Sequence, residues 1–357
     1  MEKNLSLGVA MCVFGSDPEF FFKKDGKVLP SSEVINEETR GVIIDGFQGE
    51  LNPAGNTCRQ SSGSNIAYAL YQAGRLANKA GAKISFDMGQ FITDDVWYMV
   101  PRELKRFGCS PTMNVYEDKF RRVSGLRERF RSAGGHIHIG GVGTTSPDYL
   151  KENIDKIVQV MDIVVGNTCV LIDRDPLNAR RRKIYGRAGE HRMKSYGLEY
   201  RVPSNFWLKD YVLWSLVSGL ARCSVSIHKS GHADNLISKF DMRKVRKAIN
   251  DNDFDLAKDN LNILRDYIIE YEAYNSYTLL STGYIDTLVK WATSSNPLEG
   301  IGTDTEILDR WETRTDRVGA GIEVFLDYYK NTGLHWFISR HPDGEDEEYD
   351  EDGGDFY

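Results

Sequence analysis

Short apolar runs bounded by turn residues fill the first 200 residues, and helical periodicity dominates beyond residue 235. Residues 13–22, 27–30 (after the Asp25-Gly26 turn), 41–47 and 83–88 read as strands. Ser64 reads as the cap of a helix running to about residue 79, with Ala67, Leu70, Tyr71 and Gly74 on one face. Gly134-Gly135-His136-Ile137-His138-Ile139-Gly140-Gly141 is a strand bracketed by glycine pairs. Ser146-Pro147-Asp148 opens a helix, because Ser caps, Pro suits the first turn and Asp complements the dipole. Its apolar stripe runs Ile154, Ile157, Val158, Met161, Val164, Val165 and Leu171. Residues 197–202 form the next strand, residues 206–228 a long buried helix, and residues 259–274 and 305–316 further helices. No internal repeat and no linker interrupts residues 1–340, which are expected to form one α+β domain.

Composition agrees with a globular chain. The 357 residues are 41% apolar, 11% aromatic and 27% charged. The longest apolar helical stretch, residues 206–227, carries Lys209, Asp210 and Arg222, so no membrane span is expected. Residues 5–14 lack a small-residue cleavage site and read as a first strand rather than a leader. The net charge of −7 is uneven. Residues 341–357 hold nine acidic groups and no Lys or Arg, which leaves 43 acidic against 45 basic residues in residues 1–340, a net +2. Such a tail buries too little apolar surface to offset its ordering entropy and is expected to be disordered. A nearly neutral body does not suit nucleic acid as a partner. The five cysteines are odd in number and scattered, and no C-x-x-C occurs, which fits a reducing compartment and argues against a disulfide framework or a structural zinc.

Three dipeptide-spaced motifs carry the chemistry: Asp17-x-Glu19, His136-x-His138 and Glu199-x-Arg201. On a strand, residues i and i+2 share a face and lie roughly 7 Å apart. The residues between and beside them are apolar, so one face of each strand packs on a core while the other carries acids, imidazoles or a guanidinium. Asp45 and Glu50, beside Gly46 and Gly49, add two carboxylates. Brought together, these groups make an oxygen-rich cluster suited to Mg²⁺ or Mn²⁺, since facing carboxylates repel unless a cation or Arg holds them. Seven arginines lie from Arg174 to Arg201, irregularly placed around Tyr185-Gly186-Arg187-Ala188-Gly189, and arginine forks suit phosphates and carboxylates. Metal-binding acids facing arginines are equipment for phosphoryl transfer.

Gly15-Ser16-Asp17-Pro18-Glu19-Phe20-Phe21, Asp45-Gly46-x-x-x-Glu50-Leu51-Asn52-Pro53, the glycine-bracketed His strand and Glu199-Tyr200-Arg201-x-Pro203-Ser204-Asn205-Phe206-Trp207, taken in that order, resemble the phage-encoded COOH–NH2 ligases. These are amidoligases of the glutamine synthetase and glutamate–cysteine ligase superfamily. The resemblance implies a curved, mostly antiparallel sheet of the glutamine-synthetase catalytic type backed by helices. It implies an ATP-dependent carbon–nitrogen ligase that makes an acyl phosphate and then an amide, using ATP, a carboxylate and an amine, with two or three Mg²⁺ (or Mn²⁺) ions, in the host cytoplasm. By resemblance, Asp17, Glu19, Asp45, Glu50, His136 and Glu199 are metal ligands. Arg187, Arg192 and Arg201 contact phosphates and act with Glu50 in catalysis. His138 points to substrate or nucleotide, with Asn52 and Arg59 toward substrate.

Two other readings accommodate the same residues. One is a zinc hydrolase built on His136, His138 and the carboxylates, with the arginines clamping substrate. The other is a non-catalytic interaction protein whose acidic tail is the active part. Arg121, Arg122, Arg127, Arg129 and Arg131 are expected on a solvated face, Cys58 in the interior, and His228-x-x-x-His232 at a helix end without a ligand role.

Overall fold

The strand expected over residues 13–22 is two strands, because Pro18 has no N–H for a ladder and the Asp17-Pro18 step carries the chain from one sheet into another. The computed structural model describes residues 12–36, 39, 41–107, 112–121, 125–274, 298 and 303–315. The expected tail and most of the expected first strand lie outside them. In chain order the strands are β1 (Cys12–Ser16), β2 (Glu19–Lys24), β3 (Lys27–Leu29), β4 (Val42–Asp45), β5 (Gln48–Leu51), β6 (Lys83–Ser85), β7 (Gly89–Phe91), β8 (Thr112–Asn114), β9 (Glu117–Arg121), β10 (Phe130–Ser132), β11 (Ile137–Gly141), β12 (Glu190–Lys194) and β13 (Gly197–Tyr200). One sheet runs β1-β11-β13-β12-β8-β9, a second runs β3-β2-β5-β4 with β6 also on β2, and β10 pairs with β7. Among the described residues every ladder is antiparallel.

The helices are α1 (Arg59–Lys79), α2 (Asp94–Met99), α3 (Pro147–Glu152), α4 (Ile154–Met161), α5 (Asn167–Ile172), α6 (Leu177–Ile184), α7 (Tyr211–Lys229), α8 (Ala233–Ser238), α9 (Met242–Asp251), α10 (Phe254–Tyr274) and α11 (Asp304–Thr315). Ser146 caps α3 as expected, its hydroxyl accepting from the Tyr149 N–H at 3.1 Å. The long stripe that follows is divided: α4 passes through a π-helical turn, Asp162–Gly166, into α5 while keeping its apolar face buried. The helix expected over residues 206–228 is also divided. Asn205–Lys209 is a 3-10 turn, and the extended Asp210 starts α7 by accepting the Leu213 N–H at 3.0 Å. Among the described residues no helix is long and apolar enough to cross a membrane.

Strand alternation sets the layers. Ile137, Ile139, Leu198 and Tyr200 point into a core shared with α4, α5 and α7, so the alternate residues His136, His138, Glu199 and Arg201 fall on the opposite face. Trp207 and Trp214 pack at 4.9 Å between ring centres within that core. The Trp207 indole donates to the Gly135 carbonyl at 3.1 Å, and this closeness explains the glycine. A Cβ on Gly135 would lie 2.3 Å from the Ser204 carbonyl oxygen and 2.5 Å from the indole nitrogen. Gly135→Ala is expected to destabilise the protein by about 2 kcal/mol through overpacking, as urea unfolding would show. An unchanged urea midpoint would mean that the 203–207 turn yields freely.

Candidate functional site

Register lines up the polar face. Gly15, His138, Glu199 and Arg192 stand directly opposite one another across β1, β11, β13 and β12. One step along, Glu190 faces Asn114, and Asn114 faces Glu117 on β9. In the second sheet Glu19 faces Glu50, and Glu50 faces Ile43. The sheets meet where the Glu19 N–H donates to the Gly134 carbonyl at 2.8 Å and the Leu51 N–H to the Pro18 carbonyl at 3.0 Å.

Asp17 and Glu19 are not two residues of one strand, contrary to the period-two expectation, because the chain breaks at Pro18 between them, and they fall in two neighbouring groups. Asp17, His138 and Glu199 form one, and Glu19, Asp45 and Glu50 the other; each offers ligand atoms that all lie within 4.8 Å of one another. In the first group, Asp17 bridges both imidazoles: Oδ1 lies 3.0 Å from His136 Nδ1 and Oδ2 lies 3.1 Å from His138 Nε2. Glu199 Oε1 meets Arg201 Nε at 3.0 Å, and Oε2 lies 3.5 Å from Lys194 Nζ and 3.6 Å from an Arg192 nitrogen. In the second group Glu19 is held through one oxygen: its Oε2 takes the Gln48 amide at 2.8 Å, the Gly134 N–H at 2.8 Å and the Tyr185 hydroxyl at 3.1 Å.

Charge follows from this packing. Burial pushes Asp17 up, but His136 and His138 together hold it well below its ordinary value. Burial and Asp17 push Glu199 up, and Arg201 with the two imidazoles outweighs them, leaving it low. In the second group nothing outweighs burial. Glu19 is pushed up to about 8 by burial and by Asp45, and Glu50 lies well above its ordinary value through burial and its carboxylate neighbours. Burial lowers His136, whose Nε2 is enclosed without a hydrogen-bond partner. Three carboxylates sharing so small a space fit a divalent cation, whose charge would relieve their repulsion. The first group offers oxygen and imidazole nitrogen together, which magnesium, manganese and zinc all accept.

The remaining expected residues divide. Arg201 is fully buried beside Glu199, and Arg192 lies on the same face. Arg187 stands further out, 3.2 Å from Glu117. Asn52 is exposed, with its backbone N–H on the Gly41 carbonyl, and Arg59 contributes backbone to α1 while its side chain lies outside the described residues. Two expectations are corrected. Cys58 is exposed, since it stands just before the first turn of α1. Arg131 is buried, because its guanidinium sits over Phe47, Trp97 and Phe107 and donates to the Lys105 and Gly125 carbonyls. His228 pairs with the Tyr149 hydroxyl at 2.8 Å in the last turn of α7, the helix end where it was expected.

Sequence reasoning missed the supporting groups Gln48, Tyr185 and Tyr196. Tyr196 meets His138 Nδ1 at 2.9 Å and so orients that ring toward Asp17. Tyr196 sits two residues beyond Lys194 in the β12–β13 turn, and no local signal marks it. Gln48 does follow the Asp45-Gly46 turn, and a two-residue hairpin with glycine at its first central position would have placed it beside Glu19.

No curated protein sequence matches the chain. Residues 119–297, half of its length, match a ligase family, and that stretch contains the His strand, the Arg187–Arg192 segment and Glu199-x-Arg201, while the acids from Asp17 to Glu50 precede it. On that match the chain belongs to the phage phiEco32-like COOH–NH2 ligase type 2 family.

Proposed function

We propose that the protein is an ATP-dependent carboxylate–amine ligase working through an acyl phosphate, as its superfamily resemblance implies. The observation that carries this reading is the pair of acid groups on either side of Pro18, facing Arg192 and Arg201. Asp17, His136, His138 and Glu199 would hold one cation, and Glu19, Asp45 and Glu50 another. Bound Mg²⁺ would supply charge for phosphates and the developing negative charge of transfer.

The chain's own residues have definable work. Arg192, a quarter exposed beside Glu199, can turn its fork to a phosphate oxygen. Arg201, enclosed and fixed by Glu199, keeps a permanent positive charge beneath the reacting group, where low dielectric strengthens it. The substrate carboxylate oxygen attacks the γ-phosphorus and the bond to the ADP oxygen breaks. The amine nitrogen then attacks the acyl carbon, phosphate leaves with the mixed-anhydride oxygen, and the nitrogen gives up a proton. The activated carbon resides on the substrate, so no protein nucleophile is needed.

Thermal unfolding with Mg-ATP tests the reading. At a hundredfold excess over Kd, binding adds about 2.7 kcal/mol. A magnesium-dependent shift, followed by phosphate release when acid and amine pairs are added, is the expected result. Stabilisation by Zn²⁺ alone, with no response to Mg-ATP, would instead favour a hydrolase.

A further inference from the structure

The loop Gly186–Gly189 is clamped at almost every backbone polar atom by groups from five different elements. The Gly186 N–H donates to Glu190 Oε2 at 2.6 Å, and the Gly186 carbonyl accepts from Arg182. The Arg187 carbonyl accepts from the Glu190 N–H at 3.0 Å. The Ala188 N–H donates to Asn250 Oδ1 at 2.9 Å, and its carbonyl accepts from the Asn114 amide at 2.8 Å. The Gly189 N–H donates to the buried Asp162 in the π-helical turn, and its carbonyl accepts from the Val115 N–H at 3.2 Å, with His191 Nδ1 at 3.0 Å. Gly186 and Gly189 have φ of +78° and +80°, and a Cβ at either would strike Arg181 or Tyr116, so the path of the loop is closely specified.

A loop this constrained leaves one group to meet a ligand, the Arg187 side chain. Its guanidinium rests 3.2 Å from Glu117, and both residues are about a third exposed. Glu117 stands opposite Asn114, which stands opposite Glu190, on the face that bears Glu199 and Arg192. With strands about 4.8 Å apart, β9 lies three steps, or about 14 Å, from β13 and Glu199.

We propose that the loop, pinned by Asn250, is a rigid mount for Arg187, whose approach to an anionic group of the ligand is what the resemblance already implies, with Glu117 as the exchangeable counter-ion. Asn250, on α9, is a positioning residue that acts through the Ala188 amide. Fixing the loop beforehand spares the ligand the cost of ordering it. The identity of the ligand as Mg-ATP rests on the ligase reading above.

The experiment uses the full chain and two readouts. Hydrogen exchange should find the Ala188 amide protected, and Asn250→Ala should release that protection while Asn250→Asp, which keeps the acceptor, retains it. Calorimetric titration with Mg-ATP should show binding weakened about tenfold in Asn250→Ala, the scale of one lost hydrogen bond, and restored in Asn250→Asp. In the Arg187→Ala background, Asn250→Ala should cost almost nothing more, because its effect is exerted through Arg187. Rapid exchange of Ala188 in the unaltered protein, or losses that simply add in the double variant, would overturn the mount. Failure of the unaltered protein to bind Mg-ATP, with the loop still protected, would overturn the ligase reading and the ligand assigned to Arg187 and leave the anchoring role standing.

Discussion

Glu19→Gln is expected to leave the protein at least as stable as the unaltered chain at pH 7 in EDTA, and to remove the stabilisation that Mg²⁺ brings. Glu19 is almost completely enclosed, and burial with Asp45 pushes its carboxyl up to about 8 from an ordinary 4.5. The folded form thus retains a proton that the unfolded chain has released. That contribution to stability is fully present below about pH 4.5 and is lost as the pH rises through about 8. The amide of Gln cannot ionise, so the pH 5–8 slope should flatten in the variant, and its oxygen can still accept from Gln48 and Gly134. The whole effect amounts to several kcal/mol across that window. A divalent cation reverses the sign, since it prefers the ionised carboxylate, and Gln offers it only a neutral oxygen. Unfolding midpoints at four pH values, with EDTA or MgCl₂, would check both halves. Equal pH slopes in the two proteins, or equal response to Mg²⁺, would refute the placement of Glu19 in a cation-binding group.

Arg181→Met is expected to cost about 4 kcal/mol of stability, the largest loss foreseen for a residue outside the acid groups. Arg181 is wholly buried on α6 and donates to the Val202 carbonyl at 2.7 Å, the Pro203 carbonyl at 2.8 Å and the Arg201 carbonyl at 3.2 Å, with its guanidinium over the Tyr185 ring. Methionine fills much of the volume but removes three charged donors at once, leaving the Val202 carbonyl to Arg182, the Pro203 carbonyl to the Gly135 N–H, and the Arg201 carbonyl without its donor. The same carbonyls fix the backbone that carries Arg201, so activity should fall further than stability predicts. Arg181→Lys should recover part of the stability, because one ammonium cannot reach three oxygens in a plane. Urea unfolding of the three proteins measures this, and a loss below about 1 kcal/mol for Met would mean that the carbonyls find other donors.

The parts of this fold that were legible in the sequence are those governed by local periodicity. His136-Ile137-His138-Ile139 alternates cleanly, and β11 does place imidazoles and isoleucines on opposite faces. The cap Ser146-Pro147 starts α3 where expected. Expectation failed where one residue redirects a pattern that its neighbours continue. Pro18 splits an apolar run into two sheets, the Gly46-Phe47 turn ends β4 and creates β5, and Asp210 interrupts a helix whose hydrophobicity continues on both sides. The arginines show a different limit. Arg181 and Arg182 share their spacing and composition with exposed neighbours such as Arg180, and only the tertiary placement of α6 beneath residues 201–203 buries them.

Pro18 carries one more consequence. Asp17 and Glu19 belong to different groups yet flank a single residue whose φ is locked by its ring. The backbone span between the two anionic centres is therefore short and partly stiffened by covalent geometry, like a rung between two rails. Contacts to the imidazoles on one side and to Gln48, Gly134 and Tyr185 on the other set where the carboxylates lie. However the outer strands move, Asp17 and Glu19 stay two residues apart along the chain, so neither group can leave the other's neighbourhood without the sheets parting at Pro18.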